Sequence, residues 1–348
     1  MSVEGTRSAQ PTLDEVAALA GVGRGTVSRV INGSPQVSDR TREVVMQAVQ
    51  ELGYVPNQAA RTLVTRRTGT VALVIAESEE RIFGEPFFAG VVRGISAALN
   101  DASRQLVLSL VHGAEQAERL GGYLTRQHVD GVLLLSLHDD EAFPVDLDAR
   151  GLPVVVGGRS GQWSGSFVDV DNVDGARQAV AHLAATGRRT IATISGPHVM
   201  ASGRDRLEGY AAALEAAGLP YDERLVVEGD FSEQSGCAAM DELLARRPDI
   251  DGVFAASDLM AMGAMRSLRS RGLRVPQDVG VIGFDGTTAS ETTDPPLSTV
   301  RQPLVELGRG MAEMLLRHVD SGDHAAEQLV LPVELVVRDS TRSATGAD

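Results

Sequence analysis

Ser195 and His198, three residues apart in TISGPH, could set a hydroxyl against an imidazole, the pairing that nucleophilic catalysis uses. No G-x-S-x-G elbow surrounds Ser195, so the turn that presents such a serine is not written there. Cys237 is the single cysteine; on a helical face it reads as a small core residue rather than a nucleophile. One cysteine also excludes an internal disulfide framework and a cysteine metal cluster. The 7 histidines form no H-x-x-x-H or H-E-x-x-H pair. GGRSGQWSG is glycine-rich but lacks a phosphate-binding lysine and dinucleotide spacing, and reads as a flexible turn. No catalytic set, metal site or cofactor is implied.

The arginines offer different chemistry. In TLDEVAALAGVGRGTVSRVIN, Arg24, Gly25, Thr26, Ser28 and Arg29 fall on the outward face of a short helix that buries Val27, Val30 and Ile31. A guanidinium there presents two donors that match O6 and N7 of guanine. The preceding helix opens on a capping box, Thr12 and Glu15, and carries Leu13, Val16, Ala17 and Ala20 as its apolar stripe. Gly21 breaks the chain and Gly23 can cap the second helix. After NGSPQV, Ser38 caps a third helix with Val44, Val45, Ala48, Val49 and Leu52 on its apolar face. Two short helices joined by a glycine turn, completed by a third, make a helix-turn-helix pattern. Ser38 and Thr41, at a helix N-terminus, suit a backbone phosphate.

Composition bounds the rest. At 348 residues and 43 % apolar content the chain has room for two or three domains. No apolar run reaches membrane-spanning length and the first residues lack a signal-peptide stretch, so a soluble cytoplasmic protein with no membrane partner is expected. The formal charge of −15 argues against a polyanion partner until it is divided: residues 1–69 carry +2 and the remainder −17. All 32 basic residues are arginine, which reads as GC-rich coding bias. Their placement therefore matters more than their number.

From Thr70 the texture becomes α/β. TVALVIA, LVLSLV, GVLLLS and PVVVGG read as buried strands, with helices near 87–100 and 115–127. RTIATISG, LVVEGDF, GVFAAS and GVIGFD form a second series, with helices near 173–186, 205–217, 233–246 and 258–271. Such alternation implies parallel sheets with helices on both faces, and two series imply two lobes. Ligands in these folds sit beyond the carboxyl ends of the strands, so facing lobes make a cleft.

TLDEVAALAGVGRGTVSRVIN, VSDRTREVVMQAVQELGYVPN and AARTL together resemble the LacI/GalR family of bacterial transcription regulators, and the similarity continues through the whole chain. Among members it is most similar to repressors that respond to cellobiose and cello-oligosaccharides. The resemblance implies a tail over 1–10, a DNA-binding domain over 11–55, a hinge helix and linker over 56–69, a periplasmic-binding-protein-like core over 70–340 and a tail over 341–348. Three crossovers near 168–172, 298–302 and 331 would build a first lobe of about 70–169 and 301–330, and a second of about 170–299 and 331–340. The partners it implies are double-stranded operator DNA, a sugar effector and a second subunit; no leucine-heptad tail follows Arg338, which favours a dimer over a tetramer. Gly25 stands where many members carry a larger residue, so an operator sequence cannot be transferred.

By position in the family pattern, Thr12, Arg24, Gly25, Thr26, Ser28, Arg29, Asn32, Ser38, Thr41, Tyr54, Asn57, Ala60, Arg61 and Leu63 are the candidates for DNA contact. Arg206 in SGRDRLEGY, Asp285 in GVIGFDG, Phe231 in EGDF and Gln302 are candidates for the effector cleft. Ser257 and Asp258 in FAASD join them, although Asp258 could equally cap the following helix. From the first lobe come Phe83, Glu85, Pro86 and Phe87 in ESEERIFGEPFF, with Ser136; Arg81 could instead form a salt bridge. This aromatic, carboxylate and arginine mixture suits a neutral polyhydroxylated ligand, with sugar phosphates and purines as alternatives. An exported solute receptor or an enzyme is the competing class, and the sequence shows neither a signal peptide nor a catalytic set.

PNQAARTLVTRR, residues 56–67, starts like a helix and then offers one large apolar residue, Leu63. About eight residues of helix are marginal alone in water. The resemblance supplies a partner: in the family, paired segments of two subunits fold together in the minor groove, and the matching leucines open a base step.

Overall fold

The computed structural model describes residues 11–31, 34–55, 67–125, 127–138 and 141–342. Asn32, Asn57, Ala60, Arg61 and Leu63 lie outside the described residues. The chain divides into two compact units, Met1–Thr68 and Gly69–Asp348, each taken by itself below. No helix among the described residues is long and apolar enough to cross a membrane.

The first unit holds α1 (Leu13–Ala20), α2 (Arg24–Ile31) and α3 (Asp39–Leu52). Thr12 and Glu15 close the capping box reciprocally, with Thr12 N donating to Glu15 Oε2 at 2.6 Å and Glu15 N donating to Thr12 Oγ1 at 3.3 Å. Gly21 ends α1 at φ 65°, a left-handed turn that glycine adopts freely. Val16, Val27 and Val45 are fully buried and fix the three helices on one core. Val44, expected on the apolar face, is 42 % exposed, because Val45 and Ala48 set the buried phase of α3 one residue further on.

The second unit carries two parallel sheets, built in chain order. The first lobe runs β1 (Thr70–Ile75), α4 (Glu79–Gly84), α5 (Pro86–Asp101), β2 (Gln105–Leu110), α6 (Ala114–Tyr123), β3 (Gly131–Leu135), α7 (Phe143–Ala149), β4 (Val154–Gly157) and β5 (Ser166–Val170). The second continues with α8 (Asn172–Ala185), β6 (Ile191–Ser195), α9 (Ala201–Ala216), β7 (Val226–Glu228), α10 (Glu233–Arg246), β8 (Gly252–Ala255), α11 (Asp258–Ser270), β9 (Gly280–Asp285), α12 (Thr288–Glu291) and β10 (Ser298–Arg301). The chain then returns: α13 (Leu304–Ser321) packs on α5, β11 (Gln328–Leu331) joins the first sheet, and β12 (Glu334–Val336) joins the second. Sheet orders are β11-β5-β4-β3-β1-β2 and β12-β10-β9-β8-β6-β7, parallel throughout except for β12 against β10. β5 and α7 are elements that sequence reading did not separate from loops.

Helices cover both faces of each sheet, which is why GVLLL of β3 is buried at every position. Leu73, Leu133 and Val155 meet α5 and α13 on one face, while Val132, Leu134 and Val156 form the core of the other. In the second lobe Ile194, Val253 and Val281 pack with α10 and α11, and Phe254, Ile282 and Phe284 with α8 and α9. The strands thus end rigidly on one side, where loops and helix starts from both lobes meet.

Candidate functional site

In the helical unit, α2 presents Arg24, Gly25 and Arg29 to solvent, with Thr26 and Ser28 half-buried beside them. Val27 and Val30 behind them hold the helix in register. Arg29 Nε donates to the Gly25 carbonyl at 3.2 Å, and Arg24 stands 3.5 Å from Asp14, both side chains exposed. So open an ion pair is weak, and a base edge can displace it. Thr12 and Ser38 are exposed and already cap α1 and α3; Ser38 Oγ lies 2.8 Å from Thr41 Oγ1. Tyr54 is half-buried against the bundle core.

In the second unit, a cavity lies between the lobes, where β3, β4, β5, β9 and β10 end. Arg206, 5 % exposed on α9, is its centre. Its Nε donates to Asn172 Oδ1 at 2.9 Å, its Nη1 donates to the Ala256 carbonyl and stands 3.7 Å from the Asp285 carboxylate. Its plane covers the Phe284 ring, 3.8 Å from the centroid, and Phe231 lies 5.7 Å away. Gln302 Nε2 donates to Asp285 Oδ1 at 2.6 Å, so the crossover after β10 is tied to the end of β9. From the first lobe Arg81 pairs with Glu77 and with Glu85, the latter at 3.1 Å, and lies 5.1 Å from the Phe231 ring. Ser136 Oγ donates to Glu77 Oε1 at 2.7 Å.

Strain concentrates here. Ser136, Phe231 and Asp285 have φ of 61°, 70° and 113°, left-handed values that non-glycine residues adopt at a cost, and all three line the cavity. Gly286 follows at φ 71°, where an added Cβ would come within 2.7 Å of Arg301 Cα. Glycine is required there to let β9 end beside β10.

Burial pushes the Glu85 carboxyl from its ordinary 4.5 up to about 7, opposed by the Arg81 guanidinium. Burial also pushes Asp285 upward, opposed by Arg206. A raised folded-state value means the stability this group allows is complete below pH 4.5 and is lost as pH rises through about 7. Glu85→Gln should remove that loss, worth on the order of 3 kcal/mol between pH 4.5 and 8. Melting temperatures of wild type and variant should therefore coincide below pH 4.5, diverge progressively up to about pH 7 and stay apart above it, the variant melting higher. Parallel curves across that range would sink this reading of Glu85.

The profile of bacterial regulatory proteins of the lacI family matches residues 12–57, and that of a periplasmic binding protein-like domain matches residues 180–341. The HTH-type transcriptional regulator CelR of Thermobifida fusca is 55 % identical over 337 residues, 96 % of this chain and 99 % of that relative. The chain belongs to the lacI family of bacterial regulatory proteins. DegA of Bacillus subtilis (strain 168), another HTH-type transcriptional regulator, is 33 % identical over 335 residues, 95 % of this chain and 98 % of its own. Among solved structures, the CelR–cellobiose complex superposes with a TM-score of 0.77 at 53 % identity, covering 95 % of this chain and 100 % of that one. The lac repressor dimer bound to operator and the anti-inducer ONPF gives 0.83 at 32 % identity, covering 96 % and 99 %. The family read from the helix-turn-helix motif and the α/β fold read from strand–helix alternation are the ones found.

Within this LacI-family chain, Glu85, Phe87, Ser136, Arg206, Phe231, Asp285 and Gln302 meet around one cavity, as does Arg81. Four expected residues do not. Phe83 is 77 % exposed, because Ile82 takes the buried phase of the short helix α4, with Arg81 and the C-cap Glu85 turned inward beside it. Pro86 begins α5 and does not line the cavity. Ser257 Oγ donates to the Phe231 carbonyl and accepts from Met260 N, both at 3.1 Å, so it caps α11. Asp258 is fully buried and accepts from Thr287 N at 2.7 Å, Thr287 Oγ1 at 2.9 Å and Thr299 Oγ1. Its carboxylate is a tie between α11, α12 and β10, and neither a cleft ligand nor the cap.

Sequence reading also missed Arg159, Asp169 and Asn172. Asp169 is 5 % exposed inside β5, and Asn172 Nδ2 donates to its Oδ1 at 3.1 Å. The signal was VDVDN, an aspartate inside an otherwise apolar strand. Ser195 and His198 do approach, Oγ to Nε2 at 3.0 Å, with Glu228 at 3.3 Å from His198 Nδ1. Ser195 is 1 % exposed, however, and a hydroxyl so covered is withheld from attack.

Proposed function

We propose that this regulator is a repressor that binds a palindromic operator as a homodimer in the cytoplasm and releases it when cellobiose or a short cello-oligosaccharide enters the cleft. The observation that carries this reading is the end-to-end similarity to CelR, 55 % identical, together with the likeness to its solved cellobiose complex. Cavity chemistry supports it. Asp285, Glu85 and Gln302 supply acceptors and a donor for hydroxyls, and the Phe231 ring suits the C–H face of a pyranose. Arg81, Arg159 and Arg206 each already face a carboxylate. A sugar phosphate would have to displace one of these, so a neutral polyol fits better.

DNA contact falls to α2, with Arg24 as the base reader. A gel-shift assay with palindromic DNA should show a retarded complex that cellobiose dissolves. Operator sequences selected by Arg24→Ala should lose one guanine preference in each half-site, a discrimination of about 1–3 kcal/mol. Retardation untouched by cellobiose but reversed by another sugar would overturn the effector. An unchanged base preference would remove Arg24 from the recognition set.

A further inference from the structure

The Asp285 carboxylate that faces Arg206 and Gln302 stands on a turn, φ 113° at Asp285 and 71° at Gly286, that an aspartate does not favour. Such a conformation persists only where its surroundings over-determine it. The residue that does so lies outside the cavity. Asp258, the first residue of α11, is fully buried and does not line it. Its Oδ2 accepts from Thr287 N at 2.7 Å and from Thr287 Oγ1 at 2.9 Å, immediately after the turn. Its Oδ1 accepts from Thr299 Oγ1, which accepts in its turn from Gly286 N at 3.2 Å. An added Cβ on Gly283 would come within 2.6 Å of Asp258 Oδ1, so β9 itself passes against the carboxylate.

The polarity of this network is fixed. A backbone amide only donates and a threonine hydroxyl has one proton, so Gly286 N takes the Thr299 oxygen and the Thr299 proton goes to Asp258. Donors from Thr287 and Thr299 thus converge on a group that only accepts. An amide in its place has one acceptor oxygen; it can serve Thr287 or Thr299 and must release the other. We infer that Asp258 is a positioning residue for the effector, holding Gly286 and Thr287 and thereby aiming Asp285 into the cavity. The inference rests on the reading of Asp285 as a sugar ligand. Charge alone would act in the opposite direction. Burial pushes the Asp285 carboxyl upward, Arg206 opposes this, and the nearby Asp258 charge adds to it. Removing that charge with the turn unmoved would favour the ionised Asp285 and would not weaken its hold on a hydroxyl. A loss of affinity therefore reports displacement.

The test uses full-length Asp258→Asn and Thr299→Val, with Thr299→Ser retaining the hydroxyl; Thr299→Val breaks the network on its own should Asp258→Asn not fold. In hydrogen exchange without sugar, the segment 285–287 should exchange faster in Asp258→Asn and Thr299→Val than in wild type, and Thr299→Ser should restore protection. Calorimetry with cellobiose, at a temperature where every protein is folded, should show binding about tenfold weaker in the first two and within about twofold of wild type in Thr299→Ser. Operator affinity without sugar should not change. Unchanged exchange over 285–287 would overturn the hold on the turn. Faster exchange with undiminished cellobiose binding would overturn the aiming of Asp285 and leave Asp258 a structural tie. If the wild type binds no cellobiose, the proposed effector fails, while the exchange still decides whether Asp258 holds the turn.

Discussion

Asp285→Asn should leave operator affinity intact while cellobiose no longer releases the DNA. The buried carboxylate accepts from Gln302 Nε2 at 2.6 Å and faces Arg206 at 3.7 Å, with one side of its surroundings open to the cavity. A hydrogen bond from a sugar hydroxyl to a charged acceptor is worth about 1.5–3 kcal/mol, so losing the charge should weaken binding by roughly tenfold to a hundredfold. A ligand shifts two states only by its differential affinity for them, and release falls with it. Asparagine is the informative replacement. Asp285→Ala would, on top of the lost charge, take the acceptor from Gln302 Nε2 and open a gap beside Arg206, which mixes unfolding with lost recognition. Asparagine keeps the shape and an acceptor oxygen. Calorimetry on Asp285→Asn separates the two roles: undiminished cellobiose binding would show that Asp285 only holds Arg206 and Gln302 in place.

Why Asp285, Arg206, Phe231 and Gln302 were legible, and Asp169 and Asn172 were not, follows from what periodicity reports. Apolar runs such as GVIGFD locate buried strands, and polar residues at their ends fall where parallel sheets gather ligands. Asp169 sits within β5, whose SFVDV lacks that clean run, so the segment reads as a crossover and nothing in it marks the carboxylate. Ser257 and Asp258 show the opposite failure. Their position at a strand end fitted a ligand role, but Thr287 and Thr299 arrive from remote segments to occupy Asp258, and no local pattern announces them. Phe83 failed on helical phase, which a six-residue helix states too briefly to read. The ion pair between Arg159 and Asp205 joins residues 46 apart on different lobes, beyond the reach of any spacing rule.

Leu63→Ala should weaken specific operator binding by about tenfold or more and reduce DNA bending, with melting temperature and cellobiose affinity nearly unchanged. The argument starts from PNQAARTLVTRR, where Asn57 can cap a helix that Ala59, Ala60 and Arg61 can propagate. So short a helix is marginal in water because nucleation costs more than its few hydrogen bonds return. Its one large apolar residue needs a partner, and in the proposed dimer a second copy of the segment against a minor groove would supply one. Wedging a leucine into a base step costs a few kcal/mol of unstacking, offset by the contacts that a bent duplex allows. If the segment orders on binding it is also a switch, since an effector that moves the lobes would alter the spacing at which two segments can pair. The competing account makes residues 56–67 a passive tether with Leu63 packed on its own chain. Removing a buried leucine would then cost about 2–5 kcal/mol of stability and leave DNA geometry alone. Fluorescence energy transfer between duplex ends, set beside a melting curve, distinguishes the two. A variant that bends DNA normally but melts early places Leu63 in the core, and one that melts normally but no longer bends DNA places it in the groove.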